Sequence, residues 1–335
     1  MRPMPELGPS ALDAQDSALV AGLLAGNRRA LAKAITLVES TREDHRLRAQ
    51  ALLGALLPHS GRSLRIGISG VPGVGKSTFI EALGMYLIAR GRRVAVLAVD
   101  PSSSVHGGSI LGDKTRMELL SQREEAFIRP TPSSGSLGGV AEHTREALLL
   151  CEAAGHDIII VETVGVGQSE TAVAGMTDCF VLLQLPNAGD DLQAIKKGIM
   201  ELADLVVFNK ADLDPAAAQL GAAQMRSALA MLHPASPNWQ PPVLTLSAVR
   251  KDGLEEFWQT LEKFRDTLEA SGEFAARRRQ QALAWMWQMV DRGLREDFRR
   301  HPAVRDTLPA TAAAVAAGSI TPTTAARHLL DLAGQ

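Results

Sequence analysis

The chain has 335 residues, 46% hydrophobic and 21% charged, which fits a globular protein with a large core rather than a disordered or fibrous one. With 35 basic against 37 acidic side chains the formal charge is -2, so no global positive field draws in nucleic acid or an anionic membrane, and any anion site must be local. Only two cysteines occur, Cys151 and Cys179, which excludes a disulfide framework and a four-thiolate zinc site. A reducing compartment fits that usage. The opening residues lack a signal-peptide apolar run, and no stretch of 18 apolar residues follows, so a cytoplasmic protein without a membrane segment is expected.

In chain order, residues 17–57 read as helical, with Leu19, Val20, Leu23 and Leu24 as apolar positions. Gly26-Asn27 breaks the pattern and can cap a second helix reaching Val38. A third helix should follow, with Thr41 and Asp44 in a capping-box spacing and Pro58 and Gly61 beyond its end. The rhythm then changes. Six short runs rich in β-branched residues, LRIGIS, VAVLAVD, DIIIVET, CFVLLQL, LVVFNKAD and VLTLSAV, alternate with helical stretches. Runs apolar at nearly every position suit strands buried on both faces, so the expected fold class is α/β, a mostly parallel sheet flanked by helices. The expected organisation is an N-terminal helical extension at 1–61, a central α/β domain at 62–265 and a C-terminal helical extension at 266–335.

From Phe274 to Arg300 one long helix is expected, carrying Arg277, Arg278 and Arg279 near its start. Leu283, Met286, Trp287, Val290 and Leu294 share one stripe, while Trp285 and Met289 lie off it. That breadth suits either packing within the chain or a subunit interface. The arginine run reads as a solvated face. After Pro302 an alanine-rich tail should form two short helices.

The strand LRIGIS runs into Gly70, Gly73, Val74, Gly75, Lys76, Ser77 and Thr78 of the segment GVPGVGKST, followed by the helical FIEALGMYLIARG. This is GxxxxGK[ST] in strand–loop–helix context, a phosphate-binding loop. Glycines let successive N–H groups converge on phosphate oxygens, and the helix N-terminus adds partial positive charge. Lys76 should reach the terminal phosphates, and the Ser77 hydroxyl should enter a magnesium shell. The run LVVF ends in Asn209-Lys210-Ala211-Asp212, an NKxD pattern at a strand's carboxyl end. A carboxylate at Asp212 can accept both N1–H and the exocyclic amine of guanine, whereas adenine has no such pair, so the pattern selects GTP over ATP. Ser247-Ala248, after the last strand, suits a loop that donates a backbone N–H to the guanine carbonyl.

Two further strand ends carry carboxylates, Asp100 and Glu162, each able to hold Mg2+ directly or through water. Glu162 stands three residues before Gly165, the spacing of a switch whose glycine amide senses the γ-phosphate. The glycine- and serine-rich stretch between those strands carries Asp113, a metal or water ligand or else a helix N-cap. In QLPNAGDDLQAIKKG, Lys196 and Lys197 can neutralise charge on the transferred phosphoryl or be solvated, and Lys196 is the preferred catalytic candidate. Val166 rather than glutamine follows Gly165, so intrinsic turnover should be slow.

VPGVGKST, VLAVDPSS, GDKTRM, SSGSLGGVA, ETVGVGQSE, PNAGDDLQAIKKGIMELAD and NKAD, in this order, closely resemble the MeaB/MMAA group of GTPases, members of which were often labelled ArgK or LAO transport kinases. The likeness covers about residues 15–300, and the last 35 residues are less typical. It implies a G-protein chaperone of an adenosylcobalamin-dependent acyl-CoA mutase, typically methylmalonyl-CoA mutase, in which GTP binding and hydrolysis gate delivery of intact cofactor and ejection of damaged cofactor. A homodimer held partly by C-terminal helices is also implied. By motif, Lys76, Ser77, Asp100, Asp113 and Glu162 fall on phosphate and magnesium roles, and Lys196 on a third switch that organises when the mutase binds. Two rival readings are a protein kinase, as the ArgK label suggests, and a nickel or cobalt metallochaperone GTPase. The first needs an acceptor-hydroxyl site and the second a cysteine/histidine cluster, and His106 and His143 are far apart in sequence.

Overall fold

The computed structural model describes residues 12–99, 117–131, 137–163, 169–186, 197–232 and 235–334. The chain forms two compact units, Met1–Ala275 and Ala276–Gln335. The first is built on a seven-stranded, wholly parallel sheet in the order β3-β2-β4-β1-β5-β6-β7. Its strands are β1 (Leu64–Gly70), β2 (Val94–Val99), β3 (Ala126–Thr131), β4 (Ile158–Thr163), β5 (Cys179–Gln184), β6 (Leu205–Phe208) and β7 (Val243–Thr245). Six of these are the expected runs, and β3 is an addition. AFIRPT carries an arginine and a proline, which weaken its strand signal, and the structure places it at the sheet edge, where a proline is tolerated.

Strand alternation sends side chains to both faces of the sheet. On one face Ile66, Ile68, Ile160 and Val181 meet α4 (Lys76–Ile88) and α10 (Leu254–Ala270) through Phe79, Leu83, Phe257 and Phe264. Phe79 and Phe257 stack edge to face with centroids 5.0 Å apart. On the other face Leu97, Ile159, Val161 and Phe180 meet α6 (Leu137–Ala153) and the N-terminal helices α1 (Ala14–Leu24), α2 (Arg28–Val38) and α3 (Glu43–Leu56). Leu23, Leu31, Ile35 and Leu52 of those helices belong to this core, so the N-terminal region forms a third layer of the first unit. Between them come α5 (Glu118–Ser121), α7 (Ser169–Ala174), α8 (Lys197–Leu202) and α9 (Pro215–Leu229).

Local chemistry sets the helix boundaries. Asn27 caps α2 by accepting from the amides of Arg29 and Ala30, and Gly26 turns with φ of 74°. The capping box expected at Thr41 does not form. Arg42 is the N-cap of α3, without a side-chain cap bond, and its guanidinium pairs with Asp44 at 2.7 Å instead. Arginine thus takes the carboxylate that a capping box would have used.

The amino-terminal end of the sheet is fixed by three aspartates, each just before a strand. Asp157 Oδ2 accepts from the amide of Arg93, Asp178 Oδ2 from Arg65, and Asp204 Oδ2 from Phe180. Each carboxylate ties the start of one strand to the start of another.

The second unit contains most of α11 (Glu273–Arg300), then α12 (Pro302–Ala316) and α13 (Pro322–Ala333). The expected long helix and two shorter ones are therefore present. Its buried residues among those described include Val304, Thr311 and Ala325, whereas Leu283, Met286, Trp287, Met289, Val290 and Leu294 are exposed.

Candidate nucleotide-binding site

β1 lies between β4 and β5, and the chain that leaves it for β2 and β4 later returns to β5 on its other side. That switch in direction opens a crevice at the carboxyl end of β1, where open α/β sheets bind ligands. Gly70 through Gly75 fill this position and lead into α4. Gly75 is the N-cap in the left-handed region, φ 93°, and a Cβ there would lie 2.8 Å from Asn209 Nδ2. Gly70 has no more room, since a Cβ would lie 2.6 Å from the Leu183 carbonyl oxygen. Gly73 turns with φ of 80° in open space. Val74 is a buried core residue, so its backbone and not its side chain is available to a ligand, and Thr78 is exposed.

Lys76, 9% exposed, folds its Nζ back onto the carbonyl oxygens of Gly70 at 2.7 Å and Val71 at 3.4 Å. An ammonium held within the loop's own curl is where phosphate oxygens can replace carbonyl oxygens as acceptors. The Ser77 hydroxyl donates to Glu162 Oε1 at 3.3 Å across the gap between α4 and β4. Glu162 is buried at the end of its strand, and its neighbour Thr163 donates to Ser69 Oγ at 3.0 Å on the opposite face. A hydroxyl and a carboxylate oxygen at this separation are hard donors of the kind Mg2+ takes.

The base end is joined to the phosphate end by direct bonds. Asn209 Nδ2 donates to the Val74 carbonyl at 2.9 Å, while its Oδ1 accepts from the amides of Lys210 at 2.8 Å and Ala248 at 3.2 Å. Lys210 adopts φ of 61° and donates through Nζ to the Gly73 carbonyl at 2.7 Å. Its stem therefore spans the gap between the loops. Asp212 lies on the same turn, and the Ser247 hydroxyl beside it, aided by Arg250 and Lys210, holds its carboxyl below the usual range. It is ionised at neutral pH, the form in which both oxygens can accept hydrogen bonds.

Ser247 and Ala248 are buried, held by Leu246 N to the Phe208 carbonyl at 2.9 Å and Ser247 N to the Asp252 carbonyl at 3.1 Å. Two contributors to this loop escaped the sequence reading. Arg250 donates its amide to Ser247 Oγ at 3.1 Å and places Nε 4.0 Å from Asp212 Oδ2. Gly253 takes φ of 82° where a Cβ would lie 3.0 Å from the Thr245 carbonyl oxygen. The Asp252-Gly253 dipeptide, a turn signal, was the clue available.

The structure thus brings Gly70, Gly73, Val74, Gly75, Lys76, Ser77, Glu162, Asn209, Lys210, Asp212, Ser247 and Ala248 to the carboxyl end of the strands. Asp100, Asp113, Gly165 and Lys196 lie outside the described residues. Among the described residues there is no group of three or more His, Cys, Asp or Glu able to hold a metal ion, and no helix long and apolar enough to cross a membrane. Cys151 and Cys179 are both buried in the cores, and burial pushes the Cys151 thiol up.

Residues 31–303 match the family model described as methylmalonyl Co-A mutase-associated GTPase MeaB. An Escherichia coli protein named GTPase ArgK is 51% identical, covering 91% of this chain and 93% of its own length. A mouse protein named methylmalonic aciduria type A homolog, mitochondrial, is 49% identical over 93% of this chain and 78% of its own. A crystal structure titled LAO/AO transport system kinase superposes with a TM-score of 0.77 at 40% identity, covering 97% of this chain and all of the other. With the phosphate loop and the NKAD turn beside it already in place, the chain belongs to the MeaB family of methylmalonyl-CoA mutase-associated GTPases and is a GTP hydrolase.

Proposed function

We propose that this GTPase is a G-protein chaperone of an adenosylcobalamin-dependent acyl-CoA mutase of the methylmalonyl-CoA type. The supporting observation is the pairing of a site that couples base and phosphate loops through Asn209 with membership of a family described as mutase-associated. GTP is converted to GDP and phosphate, slowly by the chain alone and faster with the mutase bound. Binding and hydrolysis gate loading of intact cofactor onto the mutase and removal of inactive cofactor, and adenosylcobalamin is carried by the partner.

Asp212 reads the guanine edge, Lys210 lies along the base, and the Ala248 amide serves the guanine carbonyl. Gly70 to Gly75 and Lys76 hold the phosphates. Ser77 and Glu162 suit Mg2+ by donor type and separation, with Asp100 and Asp113 as further ligands. When bound, Mg2+ supplies positive charge to the phosphate oxygens. Glu162, Asp113 and Lys196 are the catalytic candidates, Lys196 acting once the partner has organised its segment.

The exposed apolar residues of α11 support a homodimer formed through the C-terminal region, residues 266–335. The test is phosphate release from the purified chain with and without the mutase. At least a tenfold rise is expected, equivalent to about 1.4 kcal/mol of barrier. A flat response argues against the chaperone role, and transfer of labelled γ-phosphate to a protein instead of water favours a kinase. In the same assay Lys196→Ala should keep GTP binding and lose the stimulation.

A further inference from the structure

After β7 the chain runs through Ser247-Ala248-Val249-Arg250-Lys251-Asp252-Gly253, a closed turn that leads into α10. Ser247 and Asp252 form an antiparallel bridge, with the Ser247 amide donating to the Asp252 carbonyl at 3.1 Å. Two left-handed residues shape the return, Lys251 at φ 63° and Gly253 at φ 82°. Inside the turn the Arg250 amide donates to Ser247 Oγ at 3.1 Å, and Ser247 is buried. The Ser247 hydroxyl has a single proton, which goes to the Asp212 carboxylate. Arg250 therefore bears on Asp212 twice. Its amide fixes the hydroxyl that bonds the carboxylate, and its guanidinium Nε stands 4.0 Å from Oδ2.

We infer that Arg250 is a positioning residue for base recognition, holding the Asp212 carboxylate in place without consuming its acceptor sites, a role that rests on the guanine reading of Asp212 proposed above. The separation decides between help and competition. At 4.0 Å the contact is Coulombic and too long for a hydrogen bond. A carboxylate offers about four lone-pair sites, of which Ser247 takes one and guanine needs two. Arg250 thus leaves room for the base, whereas a bidentate arginine fork would fill it. Lys210, on the same turn as Asp212, also acts on this carboxylate, but its Nζ is engaged by the Gly73 carbonyl. The Arg250 side chain is 64% exposed, so solvent screens the interaction and its effect on affinity should be about threefold.

The experiment measures GTP and GDP affinity by calorimetry for full-length wild type, Arg250→Lys, Arg250→Met and Arg250→Glu, each alone and combined with Asp212→Asn. Every variant keeps the backbone amide at 250, so the series varies side-chain charge while the bond to Ser247 stays. Arg250→Lys retains a point charge, which is what a Coulombic contact uses, and should stay within twofold of wild type. Arg250→Met keeps the length without the charge and should weaken GTP and GDP alike, by about threefold. Arg250→Glu sets a like charge beside Asp212 and should weaken both at least tenfold. At about 1 M salt the gap between wild type and Arg250→Met should close to under twofold. In the Asp212→Asn background all four residues at 250 should agree within twofold. Equal affinities for Arg250→Met and Arg250→Lys overturn the role, whether both match wild type or both are impaired. So does a loss for GTP without GDP, or a charge series that persists undiminished with Asp212→Asn, since Arg250 would then act on the phosphates. If Arg250→Glu fails to fold, the Lys and Met variants decide by the same criteria. GTP affinity unchanged in Asp212→Asn alone overturns the guanine reading and this role with it, whereas a loss there with a flat Arg250 series removes only Arg250.

Discussion

Asn209 Nδ2 donates to the Val74 carbonyl at 2.9 Å, so the residue that opens the NKAD turn also clamps the phosphate loop. The same side chain accepts from the amides of Lys210 and Ala248, and it is 1% exposed. Asn209→Ala would leave a buried carbonyl and two amides short of partners, at a cost of about 1–3 kcal/mol for each left unsatisfied. GTP and GDP affinity should fall together, at least tenfold, because the contact is shared by both nucleotides. Calorimetry that shows GTP alone affected would place Asn209 at the γ-phosphate and not between the loops.

Gly75 faces that amide. Its φ of 93° costs an L-residue about 1–2 kcal/mol, and a Cβ would stand 2.8 Å from Asn209 Nδ2. Gly75→Ala should weaken GTP binding at least tenfold while lowering Tm by only about a few degrees, because the strain is local to the loop. Equal GTP affinity in the variant would show that the loop relaxes freely.

The Asp212 carboxyl is lowered first by the Ser247 hydroxyl bond. It stays a double acceptor through neutral pH, and GTP affinity should not respond to pH between about 6 and 8 on its account. Asp212→Asn exchanges one acceptor for a donor, which matches the edge of xanthine, where an oxygen replaces the amine. GTP affinity should drop at least a hundredfold and xanthosine triphosphate should gain. Competition binding checks both. Unchanged GTP affinity would remove Asp212 from the guanine edge.

The elements of this site were legible because each motif is contiguous: GVPGVGKST and NKAD announce themselves, and six strands show unbroken apolar runs. What brings them together is not contiguous. Asn209 and Val74 are 135 residues apart, and no periodicity in either segment reports the bond. β3 was missed because Arg129 and Pro130 interrupt its apolar run, and the Thr41 box failed because Arg42 competes for Asp44. The Asp-strand junctions at 157, 178 and 204 look like ordinary loop acids in sequence, yet each accepts a neighbouring strand's amide.

At the amino-terminal end of the strands, just before β4, His156 couples stability to pH. It is 5% exposed, its Nδ1 lies 3.1 Å from the Cys151 carbonyl, and Ser63 Oγ donates to its own carbonyl. Burial pushes the imidazole down to about 4, with Arg93 and Arg28 acting in the same direction and the Cys151 bond and Asp157 opposing. The unfolded chain, with an ordinary histidine near 6.5, binds a proton between about pH 6.5 and 4 that the folded chain does not. Stability therefore rises with pH across that window, and is lost on acidification from about 6.5 until the folded group itself titrates near 4. The shift corresponds to about 3 kcal/mol at most. His156→Asn keeps a donor for the Cys151 carbonyl but cannot titrate. Urea midpoints measured from pH 7 to 4 should fall less steeply in the variant than in wild type, and parallel curves would show that other groups set the acid response.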